Sequence, residues 1–88
     1  MPDVQLTATG KALTVLGLFV RGREELTLTE IARHTGMPLS TTHRIVGELA
    51  AWGALERSAD GRWIVGLRLW EVGSVCPRGQ ILKEVALP

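Results

Sequence analysis

A mainly α fold that closes on a small β-hairpin is predicted by three features of this sequence. Two short segments of helical apolar spacing flank a tight turn at Gly36-Met37-Pro38, a third such segment precedes them, and an Asp60-Gly61 pair divides two runs of strand formers. Together they give a three-helix core, a two-stranded wing and then a linker helix, the arrangement called a winged helix-turn-helix. The expected layout is a flexible arm over 1–9, the winged domain over 10–66, and a following helix with the start of a linker helix over 67–88.

Met1 to Thr9 has no apolar period and carries the turn formers Pro2 and Asp3, which is why it is assigned to the arm. From Lys11 to Val20, the residues Ala12, Leu13, Leu16, Phe19 and Val20 form a helical stripe, with Thr7 or Thr9 placed to cap it. Arg21-Gly-Arg-Glu-Glu is a polar loop. Thr27 then opens the second helix, with Glu30 three residues on as in a capping box and Leu28, Ile31 and Ala32 on one face. Gly36 suits the left-handed residue that ends such a helix, and Pro38 or Leu39 starts the third.

On this third helix Leu39, Thr42, Ile45, Val46 and Leu49 fall on one side and Ser40, Arg44, Gly47 and Ala51 on the other, with Thr41 and His43 flanking. The second face is short-sided and polar at its start. A surface of that kind fits a DNA major groove.

Beyond Gly53, Ala54-Leu-Glu-Arg and Arg62-Trp-Ile-Val read as strands around the Asp-Gly turn, with Leu55, Trp63 and Val65 offered to the helices. Leu67, Trp70, Val72 and Val75 suggest a further short helix exposing Arg68 and Glu71. Trp70 is expected in the core, a dimer contact being its other reading. Cys76-Pro-Arg-Gly is a break, and Gln80 to Leu87 begins a helical pattern that reads as a connector.

Eighty-eight residues support one small domain that buries roughly 60 to 65% of its unfolded surface. With 45% apolar residues and no run near the roughly 20 needed for a bilayer, a soluble cytoplasmic protein is expected. The single cysteine, Cys76, excludes an internal disulfide framework and a cysteine-based zinc site, and it is expected half-buried. No metal or other cofactor is indicated. Ser40 and His43 stand three apart, but no carboxylate is placed to orient the histidine, so no catalytic role follows and the chain is not read as an enzyme.

The net charge of +1 gives no bulk argument for nucleic acid, but its distribution does. No acidic residue occurs from Ile31 to Gly47, a stretch holding Arg33, Arg44 and both histidines, and from Arg57 to Arg68 three arginines oppose Asp60 alone. Arg44 has the fork to meet guanine, while Ser40 and Thr41 at the helix start suit a phosphate or a base edge. Arg57 and Arg62 on the hairpin suit the DNA backbone or minor groove, or pairing with Glu56 or Asp60. His34 reads as a helix-terminal residue and His43 as a base or phosphate contact.

The segments KALTVLGLF, LTLTEIARHTGMPLSTTHRIVGELAAWGALER and DGRWIVGLRLWEVG resemble the N-terminal DNA-binding domain of the IclR family of bacterial transcription regulators. The spacing G-x-P-x-S-T-x-H-R followed by L-x-x-x-G carries the resemblance, which covers nearly all the chain from Lys11. It implies double-stranded operator DNA as partner, and association with the nucleoid through it. It also implies a homodimer or tetramer in the full-length protein, and a small-molecule effector bound by a C-terminal domain outside these residues. By the same resemblance Ser40, Thr41, Thr42, His43 and Arg44 match the start of the recognition helix and Arg62 matches the wing, while Trp63 stands where tyrosine is commoner. A winged helix used only for protein–protein contact is the competing expectation.

Overall fold

The computed structural model describes residues 7–78. In chain order it has α1 (Ala8–Leu16), α2 (Leu28–Thr35), α3 (Leu39–Trp52), β1 (Leu55–Arg57), β2 (Trp63–Val65) and α4 (Leu67–Ser74). The Gln80–Leu87 pattern lies outside the described residues, as does the arm up to residue 6.

α1 begins and ends earlier than its apolar spacing suggests. The Thr7 hydroxyl accepts from the Gly10 N–H at 2.8 Å, so Ala8 and Thr9 are helical rather than part of the arm. Leu18 and Phe19 leave the helix in tight turns, bonding to Val15 and Leu16. Their departure shifts the inward face. Val15 is fully buried, whereas Leu13 and Val20, both placed on the expected stripe, are half exposed. A stripe read through a helix end mixes two frames, and Val15 with Ala12 and Leu16 is the true inward set.

α2 is set by its caps. Thr27 Oγ1 accepts from Glu30 N–H at 3.1 Å, Thr27 N–H donates to Glu30 Oε1 at 2.8 Å, and Gly36 closes the helix at φ 74°. These local signals give the expected boundaries. Ile31 from α2, Ile45 and Val46 from α3, Val15 from α1, Leu55 from β1 and Leu26 form the core.

β1 and β2 pair antiparallel with Leu55 opposite Val65 and Arg57 opposite Trp63. The connection runs over the five residues from Ser58 to Arg62, with Gly61 N–H bonding to Ser58 O and Ser58 N–H to Arg62 O. Leu26 exchanges both backbone bonds with Trp63, at 3.0 and 2.7 Å, and ties the hairpin to the chain just before α2. Of the three hairpin residues expected to face the helices, Leu55 is buried and Trp63 half-buried, but Val65 is exposed.

Gly66 joins the wing to α4, and a Cβ there would lie 2.1 Å from the Gly53 carbonyl oxygen, so only glycine permits this crossing. Arg68 secures α4 to the end of α3, bonding to Trp52 O at 3.2 Å with its guanidinium 4.2 Å from the Trp52 ring centroid. Two expectations for this region are corrected. Trp70 is 65% exposed rather than core, while α4 is tied to the domain by Arg68 bonding to Trp52 O and Leu67 N–H donating to Glu56, with Leu69 half-buried. Cys76 is exposed rather than half-buried, lying past the end of α4. No helix among the described residues is long and apolar enough to cross a membrane.

Candidate nucleic-acid interface

The turn between α2 and α3 is held by Thr35, whose hydroxyl donates to Ile31 O at 2.8 Å and accepts from Met37 N–H at 3.3 Å. Together with the left-handed Gly36 it fixes the angle at which α3 leaves. Thr42, Ile45 and Val46 anchor α3 inward. Ser40, His43, Arg44, Gly47, Glu48 and Ala51 are left exposed along its outer side, with Thr41 half-buried at the edge.

Four of the expected site residues thus meet on α3: Ser40, Thr41, His43 and Arg44. Thr42 does not. It is 0% exposed, and its hydroxyl donates to Pro38 O at 3.0 Å, so it supports the helix from inside. The motif match pointed outward, while the helical period that puts Thr42 with Ile45 and Val46 pointed inward and is borne out. Leu39 departs from that period. It is 54% exposed, because it precedes the first residue of α3 that reaches the core.

Pro38 caps α3 without any side-chain hydrogen bond, so the first backbone N–H groups of the helix stay open to an anion. Thr41 and Ser40 stand beside them. One turn on, Arg44 lies 3.2 Å from Glu48, with side chains 57% and 70% exposed. An ion pair that open is worth about 0 to 1 kcal/mol and yields readily to a better partner. Glu48 was not among the expected site residues. The step of four from Arg44 would have found it.

The wing arginines differ in their attachment. Arg57 lies over the Trp63 ring, 5.1 Å from its centroid, and makes no ion pair among the described residues. Arg62 lies 3.6 Å from Asp60 and 4.0 Å from Glu30, which links the hairpin to the start of α2. The expected alternative of pairing with Asp60 therefore holds for Arg62, whereas Glu56 instead accepts from Leu67 N–H at 2.6 Å. The Ser58 hydroxyl, then the Arg62 backbone N–H, hold the Asp60 carboxyl below its ordinary range.

Comparison with known proteins meets this geometry. The family model described as the IclR helix-turn-helix domain matches residues 8–59, more than half of the chain. The HTH-type transcriptional regulator KipR of Bacillus subtilis is 35% identical over 78 residues, covering 89% of this chain and 31% of that protein. Among solved structures, an IclR homolog from Microbacterium sp. strain HM58-2 superposes with a TM-score of 0.79 at 36% identity, covering 93% of this chain and 34% of the other. An IclR homolog from Microbacterium hydrocarbonoxydans, solved in complex with 4-hydroxybenzoate, gives 0.77 at 38% identity over 93% and 34%. The chain spans about a third of the length of the relatives it matches.

Proposed function

The chain belongs to the IclR family of transcriptional regulators, and from that premise we propose that it reads double-stranded operator DNA by laying the outer side of α3 in the major groove. The observation that carries the reading is the slim exposed stripe of Ser40, His43, Arg44 and Gly47 behind an uncapped helix start. Arg44 takes guanine O6 and N7 with both arms of its fork, a contact worth roughly 1 to 3 kcal/mol of discrimination. Ser40 and Thr41, with the open N–H groups beside them, take a phosphate and fix the register. His43 reaches a base or phosphate from the flank. Arg57 and Arg62 contact the backbone or minor groove, which adds affinity with little sequence information.

In this reading residues 7–66, from the cap of α1 rather than from residue 10, form the DNA-binding unit and 67–88 lead toward a C-terminal effector domain in a longer protein. Relatives about three times as long, one of them solved with 4-hydroxybenzoate, support that division. Homodimerisation of the full-length regulator belongs to the same proposal. Leu67, Trp70 and Val72 on α4, with Val75 at its C-terminal cap, expose much apolar surface, and a patch of that kind on a small domain commonly marks a contact. The regulator then works in the cytoplasm, on the nucleoid. A role confined to protein contact is disfavoured by the family match.

The test is a mobility-shift titration of wild type and Arg44→Ala at low and moderate salt. A groove reader loses about ten- to a hundredfold in specific affinity while its thermal unfolding is unchanged. Equal binding by the two proteins would leave the reading without its main contact.

A further inference from the structure

We infer that Glu48 is a second base-reading residue of α3, whose carboxylate accepts a hydrogen bond from the exocyclic amine of a cytosine while Arg44 takes a guanine. The inference rests on the proposed DNA-reading role of α3. Glu48 lies one helical turn beyond Arg44 on the exposed side, with its side chain 70% exposed and 3.2 Å from the arginine.

Helix stability does not account for the pair. An arginine four residues before a glutamate is the reverse of the favoured order, and the gain for such surface pairs is small in either order. Nor does DNA affinity account for it, since a carboxylate facing a polyanion is repelled. Glu48 is the one acidic residue of α3, placed where it opposes binding in general. That cost is consistent with discrimination, because specificity is a difference of affinities and an element that rejects wrong partners raises it.

The chemistry selects the base. An ionised carboxylate has acceptors only, so in the major groove it needs a donor. Cytosine offers its N4 amine without a strong acceptor beside it on the same base, whereas adenine sets N7 next to its N6 amine and guanine and thymine present acceptors. Gly47, with nothing within 4 Å of where a Cβ would be, leaves the helix backbone thin beside Glu48 and favours close approach.

The experiment is selection of bound duplexes from a random pool by the 88-residue chain at low salt, for wild type and Glu48→Gln, with thermal unfolding confirming that both are folded. Wild type is expected to enrich a guanine and a cytosine at fixed spacing. Glu48→Gln keeps the guanine, loses about tenfold in cytosine preference with a shift toward adenine, whose N6 and N7 a glutamine amide matches, and binds random DNA a few-fold tighter. Identical base preferences with only a uniform change in affinity would overturn the role of Glu48 and leave the DNA reading intact. Enrichment of no sequence by wild type would overturn both.

Discussion

The Thr42 hydroxyl donates to the Pro38 carbonyl at 3.0 Å from a position with no exposure, whereas Arg44, two residues on, keeps more than half its side chain in solvent. Burial separates them more sharply than residue type does. Thr42→Val removes one hydrogen bond and little volume, so it should cost about 1 kcal/mol of stability and leave DNA affinity within about threefold. Denaturant unfolding and a binding titration on the same preparation check both parts. A tenfold loss of binding with unchanged stability would return Thr42 to the contact surface.

α2 has the most complete local specification in the domain, and its capping box makes it sensitive to acid. The Thr27 backbone N–H, then the Thr27 hydroxyl, hold the Glu30 carboxyl below its ordinary range. A folded-state value depressed in this way gives stability that is present above the unfolded carboxylate range and lost as pH falls through the lowered value. Removing the cap by Thr27→Ala should cost about 1 kcal/mol at neutral pH. It should also flatten part of the acid limb of the unfolding midpoint measured from pH 7 down to pH 3, the remainder staying because the Thr27 backbone N–H is kept. On α3, Gly47 is an exposed helix-interior glycine with open space around it. Gly47→Ala should therefore stabilise the free protein by about 0.5 to 1 kcal/mol, while Gly47→Leu, folded equally well, should abolish specific binding by filling the space a groove wall needs. Unimpaired binding by the leucine variant would place the DNA elsewhere.

These same elements show what the sequence made legible. Thr27, Glu30 and Gly36 act within a few residues of one another, so their spacing was enough to bound α2, and α3 followed from its turn and its period. α1 was less legible, because its inward Val15 was masked by a stripe continued past Leu16 into the turn. The exchange of backbone bonds between Leu26 and Trp63 joins positions far apart in the chain, and no local pattern announces it. Of the site, the members on α3 were legible from spacing and motif. Thr42 was already set inward by its helical period, and Glu48, four residues past Arg44, stood within reach of the same spacing but was not singled out.

At the scale of the whole chain, a net charge of +1 gives little bulk attraction for DNA, so on the proposed reading affinity comes from where the arginines stand. Arg44 lies on the exposed stripe of α3, while Arg57 and Arg62 lie on a hairpin anchored through Leu26 and, via Arg62, to the first turn of α2. α4 departs from the same body by the glycine crossing at Gly66, with Leu67, Trp70 and Val72 exposed among the described residues. Two copies joined there would present two reading helices, and their sites should be two-fold symmetric. The groove itself is probed most directly by replacing the guanine opposite Arg44 in a selected site with 7-deazaguanine, which removes the N7 acceptor and keeps base pairing. Wild type should lose about 1 kcal/mol or more of binding free energy on that duplex, and Arg44→Ala should lose nothing further. Equal binding of both duplexes by wild type would contradict the placement of α3 in the major groove.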